Sequence, residues 1–318
     1  MEKIFRLVNL RKKNIIEIAN LNWASSQLLS MLDKIVLEQG FKHTVILNDI
    51  NAVDAYNKIK TVKLPYLIPE NWINNNNIKE ENNIIVANKI PIKDVGEGWF
   101  INGKSIKNYP KIINMNVQQI IEHPEWFDGK IVICPTIWRG CNQVNLNLFK
   151  AFKMDEKGWE IVVPESGLKL DKTLESADRS NKSWFGHYWQ PTTNVSKYNL
   201  KLLDFGVDFL GKEYWDNCIM KPDCKNPKPT SWLKTSVYSI VNQNFIKKFK
   251  VNSDEYKYIQ NRTLDSKTVS DLLFYIEKNN TSIENTVIYF LKTNEEVWKT
   301  WVPDYITNNI KSYLSQIN

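Results

Sequence analysis

Twelve tryptophans stand in this 318-residue chain, more than a core of this size requires. Several sit where an apolar, strand-like run gives way to a polar loop. Trp23 follows the run of Ile15, Ile16 and Ile18, and Trp72 follows Leu64–Ile68. Trp138 follows Lys130–Cys134, and Trp189 closes Ser183–Trp189 just ahead of Pro191. In α/β sheets the carboxyl ends of strands are where ligands bind. Indoles gathered there can cage a quaternary ammonium, a weakly hydrated cation with no N–H to donate, by cation–π attraction. The ordinary fate of a tryptophan is core packing or a partly exposed surface. Trp126, Trp159, Trp215, Trp298 and Trp301 are assigned to that fate.

Catalytic signatures are missing. The chain has no G-x-G-x-x-G, no Walker loop, no G-x-S-x-G elbow and no H-E-x-x-H, and its 11 glycines leave little for phosphate-cradling loops. Carboxylates are plentiful, but none are paired at a spacing suited to acid–base work. Binding is therefore favoured over catalysis, with no catalytic residue and no cofactor expected.

Four cysteines form two close pairs, Cys134 with Cys141 and Cys218 with Cys224. Zinc would need further ligands nearby, and His43, His123 and His187 are single and dispersed, so no metal is expected. Two short loops suggest disulfides and an oxidising compartment; four free thiols in a cytosolic protein is the alternative. Met1–Asn14 shows no apolar h-region and no small-residue cleavage site, which sits uneasily with export.

The elements that must position the indoles alternate between strand and helix. Asn14–Ala19, His43–Asn48 and Leu64–Ile68 are predicted strands. Between them, Gln27–Gln39 and Ala52–Ile59 are predicted helices, and the polar turn Asn22–Ser26 offers cap candidates. After a loop-rich middle the pattern restarts. Lys130–Cys134, Glu160–Val163, Ser183–Trp189 and Leu200–Phe205 are predicted strands, with helices at Val144–Lys153 and Leu168–Ala177. From Asn242 onward the chain is predicted to be mostly helical. Such alternation implies α/β units with parallel strands, arranged as two α/β lobes and a helical C-terminal region.

The net charge of +7 invites a nucleic-acid reading. The lysines are scattered, however. The densest basic stretches, Arg11-Lys12-Lys13 and Lys247, Lys248 and Lys250, are short and lie in no nucleic-acid module, so no nucleic-acid partner is expected. No apolar run reaches the roughly 18 residues needed to span a bilayer.

Against this background, Cys134-Pro-Thr-Ile-Trp138-Arg-Gly-Cys141 resembles the Cys-bounded tryptophan loop of glycine betaine and proline betaine binding proteins of ABC importers. Trp184-Phe-Gly-His-Tyr188-Trp189-Gln-Pro191 is similar to the same family's aromatic-Trp-Thr-Pro segment. Pro69-Glu70-Asn71-Trp72 and Leu21-Asn22-Trp23-Ala24 are similar to its lobe-one motifs. Gly96-Glu97-Gly98-Trp99 with Tyr109-Pro110 resembles a branch that takes trimethylamine N-oxide and related osmolytes.

The resemblance implies a two-lobed type II periplasmic-binding-protein fold with a hinge. Residues 1–105 and 235–318 would form lobe one and residues 106–234 lobe two, with crossovers near 102–106 and 232–238. It implies a cage of Trp72, Trp138 and Trp189, with Trp23 and Trp99 as further walls. The backbone N–H groups of Gly140 and Cys141 would hold a ligand carboxylate, helped by Arg139. It also implies bridged Cys134–Cys141, a periplasmic or cell-surface location, a monomer, and an ABC permease as partner. The sequence departs from the family in having Ile137 before the loop tryptophan, one extra residue between its cysteines, and four asparagines (Asn74–Asn77) where some members have a histidine. A carbohydrate-active enzyme or sugar-binding protein, using the tryptophans as stacking platforms, is the alternative from another class, and a sensory module of the same fold is the third.

Overall fold

The computed structural model describes residues 14–73 and 83–317. The basic stretch Arg11-Lys12-Lys13 and the asparagines Asn74–Asn77 lie outside them.

In chain order the described strands are β1 (Ile15–Leu21), β2 (Thr44–Ile50), β3 (Tyr66–Ile73), β4 (Ile84–Asn88), β5 (Ile92–Lys93) and β6 (Gly96–Ile101). They continue with β7 (Lys130–Val132), β8 (Glu160–Val162), β9 (Phe185–Gln190), β10 (Lys201–Leu202), β11 (Ser236–Asn242) and β12 (Leu264–Asp265). One five-stranded sheet runs β2-β1-β3-β11-β4 and another β10-β6-β9-β7-β8. β1 is parallel to β2 and β3, and β7 is parallel to β8 and β9. β11 is antiparallel to both its neighbours, as is β6. Each sheet centres one lobe.

The described helices of eight residues or more are α1 (Ala24–Ile35), α2 (Ala52–Thr61), α3 (Arg139–Ala151), α4 (Gly167–Arg179), α5 (Asp254–Asn261), α6 (Ser266–Asn279), α7 (Ile283–Thr293) and α8 (Asp304–Leu314). Helices cover both faces of each sheet, as parallel strands require. On one face of the first sheet, Ile16, Ile18 and Leu67 pack with Leu28, Leu32, Val269, Phe290 and Ile306. On the other, Ala19, Leu21, Ile68 and Ile240 pack with Ala55 and Ile59 of α2. The second sheet shows the two-residue period of a strand. Trp99, Ile101, Ile131 and Ile133 face one core, while Phe100 and Val132 face the other.

That alternation corrects one expectation. Trp99 is fully buried, packs on Phe152, Phe185 and Phe205, and donates its indole N–H to Asn145 Oδ1 at 2.7 Å. It belongs to the lobe-two core and walls no cleft. Two glycines weaken a strand, and no strand was predicted over Gly96-Glu97-Gly98-Trp99. Gly96 is nonetheless needed in β6, since a Cβ there would come 2.6 Å from Leu202 Cδ2. Because β6 pairs in the second sheet, the first crossover between sheets lies between Asn88 and Gly96, ahead of the expected 105. The second falls between Leu233, still packed on the lobe-two core, and Ser236, within the expected 232–238. The Leu200–Phe205 strand shrinks to β10, and β4 and β11 were not anticipated.

Candidate functional site

A cavity of about 880 Å³ opens between the two sheets. Trp23 and Trp72 come to it from the first sheet, and Trp138 and Trp189 from the second. All four stand at the carboxyl ends of parallel strands: Trp23 after β1, Trp72 at the end of β3, Trp138 after β7, and Trp189 at the end of β9.

Trp23 and Trp138 occupy the N-cap positions of α1 and α3, and neither makes a side-chain cap bond. A Ser, Thr, Asp or Asn at an N-cap is typically worth about 1 kcal/mol. The anticipated polar cap in Asn22–Ser26 is thus passed over, and both helices forgo that stabilisation to start on an indole at the cleft.

In the first lobe one carboxylate organises the wall. Glu70 is fully buried, and its Oε1 accepts from Trp23 Nε1 at 2.8 Å, Trp72 Nε1 at 2.6 Å and Ser25 Oγ at 2.8 Å. Burial pushes this carboxyl above its ordinary range, against those hydrogen bonds and the nearby Arg262. In the second lobe Trp138 and Trp189 meet edge to face, with centroids 5.5 Å apart and planes at 76°. Tyr188, stacked on Trp189, donates to Asp171 Oδ1 at 2.7 Å, and Asn194 Nδ2 donates to the same oxygen at 2.9 Å.

The polar lining is acidic. Glu97, Asp171 and Glu277 contribute to it, and no lysine or arginine is among the described lining residues. Burial raises Glu97 to about 7 and pushes His187 down to about 3. His187 Nε2 lies 3.5 Å from Glu97 Oε1 and 3.1 Å from Cys141 Sγ. Since His187 is neutral near neutral pH, its approach to Glu97 is not an ion pair there.

The structure bridges Cys134 to Cys141 and Cys218 to Cys224, with Cα atoms 5.9 and 4.9 Å apart. Cys134, Cys141 and His187 place ligand atoms within 4.8 Å of one another. Metal binding there would need thiolates, and both sulfurs are committed to the disulfide.

Of the expected site residues, Trp23, Trp72, Trp138, Cys141 and Trp189 line the cavity. Gly140 lines instead an adjoining cavity of about 320 Å³ that shares Glu97 and Cys141. Arg139, the first residue of α3, is exposed and lines neither. The N–H groups of Gly140 and Cys141 fall in the first turn of α3, where no intrahelical acceptor exists. Asp171 and Asn194 carry no signal in the sequence, whereas Glu70, Glu97 and Tyr188 stand in the motifs quoted above without being counted among the site residues. Glu70 had one signal: it stands two residues before Trp72 in a strand, hence on the same side.

These features define a two-lobed solute-binding protein. The model of the substrate-binding domain of ABC-type glycine betaine transport systems matches residues 14–293, and the chain belongs to that family. No curated protein gives a significant match. Among solved structures, a choline-binding protein of an ABC transporter, in complex with choline, is similar at a TM-score of 0.56 and 14% identity. That match covers 94% of this chain and 98% of the other. The glycine betaine/L-proline-binding protein of Borrelia burgdorferi has a TM-score of 0.55 and 16% identity, covering 93% and 99%. The lactococcal protein closed on glycine betaine has a TM-score of 0.54 and 16% identity, covering 92% and 100%. At these identities the structural likeness speaks for the fold.

Proposed function

We propose that the cleft captures a small quaternary ammonium or methylated amine osmolyte and delivers it to the membrane permease of an ABC importer. Candidate ligands are glycine betaine, trimethylamine N-oxide, choline and dimethylsulfoniopropionate. One observation carries the reading: two indoles from each lobe line a single cavity whose charged lining is acidic. Aromatic faces attract a cation that offers no N–H donor. Glu97, half-protonated near pH 7, can accept from a hydroxyl when ionised or donate to a carboxylate or N-oxide oxygen when protonated. We place the protein at the periplasmic or cell-surface side of a membrane, in keeping with its two disulfides. The two lobes close on the ligand by hinge bending, about the crossovers at 93–96 and 233–236.

A thermal-shift screen tests this. A true ligand stabilises the native state by mass action, so at least one of the four osmolytes raises the melting temperature, while glucose and maltose do not. A rise with sugars alone would favour the carbohydrate alternative.

A further inference from the structure

We infer that Glu70, which lines no part of the cavity, is a positioning residue that makes the cage select positive charge over shape. The inference rests on reading the cavity as a quaternary ammonium site.

The geometry is specific. Trp23 and Trp72 are separated by α1, β2, α2 and most of β3, yet both aim their indole N–H at one oxygen, Glu70 Oε1. Their edges are thereby fixed toward the carboxylate, and both rings remain in the cavity wall. Ser25, in the first turn of α1, supplies a third donor to the same oxygen. The backbone just before it is held from behind as well. Arg262, fully buried, donates through Nη2 to Pro69 O and Ser239 Oγ, and its Nε lies 2.8 Å from Asp33 Oδ1. Asp33 also accepts from Tyr258 at 2.6 Å. Arg262 thus holds the backbone just before Glu70 while its charge is matched by Asp33.

Two physical effects follow. A carboxylate accepting an indole N–H pushes electron density into the ring, which strengthens the attraction of its face for a cation. Burial disfavours the ionised form of Glu70, and a cation in the cage favours it, so its negative charge in a low-dielectric wall acts directly on that cation. Neither effect reaches a neutral ligand of the same shape. A tether that merely orients the rings would serve both ligands equally.

The discriminating probe is a matched pair: choline and dimethylbutanol, in which a quaternary carbon replaces the nitrogen. Glu70→Gln keeps an acceptor oxygen for both indoles and removes the charge. Calorimetric titration is expected to show choline binding weakened roughly tenfold and dimethylbutanol binding unchanged, so that their affinity ratio collapses. Equal losses for both ligands, or no loss for either, would overturn the inference and leave Glu70 a tether. A second comparison holds if that variant does not fold. Trp72→Phe breaks a bond to Glu70, whereas Trp189→Phe makes the same ring change without one; the choline-to-dimethylbutanol ratio is expected to fall further in the former. Equal falls would overturn the inference independently. If the parent protein binds neither choline, betaine nor trimethylamine N-oxide, the proposed function itself fails, which is a separate outcome.

Discussion

Trp138 presents its ring to Trp189 at 76°, with centroids 5.5 Å apart, so the second lobe offers the cavity an aromatic corner. A trimethylammonium group, being tetrahedral, can touch both faces of a corner at once. The two rings also support each other: without Trp138, Trp189 keeps its stack on Tyr188 but loses the ring across the corner.

Their contributions to binding are therefore coupled. Trp138→Ala and Trp189→Ala are each expected to weaken binding about tenfold, in line with 1–2 kcal/mol for a desolvated cation–π wall. The double variant should lose clearly less than the product of the single losses. A calorimetric double-mutant cycle checks this, and strict additivity would argue against a shared corner.

Gly167 supplies a subtler test. A Cβ at this position, the first residue of α4, would come 2.8 Å from Trp138 Cζ2. Alanine favours a helix over glycine by about 1 kcal/mol, so helix propensity does not weaken the fold in Gly167→Ala. The methyl must displace the indole instead. Affinity is expected to fall severalfold with little change in melting temperature, read by calorimetry and circular dichroism on the same sample.

The pH dependence follows from Glu97, raised to about 7 by burial. Below that value it is protonated and can donate to an anionic ligand oxygen; above it, its charge repels that oxygen. His187, pushed down to about 3, stays neutral throughout. Affinity for betaine is therefore expected to fall as pH rises through about 7, while affinity for choline rises. Linkage has the matching sign for the free protein: a raised carboxyl favours folding while protonated, and that stability is lost as pH climbs from the ordinary glutamate range through about 7. Parallel titrations with the two ligands check the first claim. Slopes of the same sign would remove Glu97 from ligand recognition.

Much of this was legible in the sequence because it is local. An apolar run, a strand end and then an indole mark Trp23, Trp138 and Trp189 within a few residues, and the strand–helix alternation announces the parallel strand pairs but not the antiparallel β6 and β11. Trp99 was placed in the cage on the resemblance of its motif alone, whereas the pairing of β6 with β9 turns the ring inward. Glu70 was named in a motif, but its role was not visible. Its bond to Trp23 spans 47 residues, and nothing nearby in sequence says that two indoles will share one oxygen. Arg139 is a case the structure leaves apart: its charge suggested a partner for a carboxylate, and at the start of α3 it is exposed and lines neither cavity.

The most direct test of the cage is a calorimetric comparison of one indole from each lobe with one from the core. Trp72→Ala and Trp189→Ala are each expected to weaken binding of the best osmolyte at least tenfold while remaining folded. Trp298 is buried in lobe one, donating Nε1 to Leu291 O at 2.8 Å. Trp298→Phe should lower the melting temperature, since it leaves that carbonyl without its donor, and should leave the dissociation constant unchanged. Parent-like affinity in both cavity variants, with the fold verified, would contradict the account.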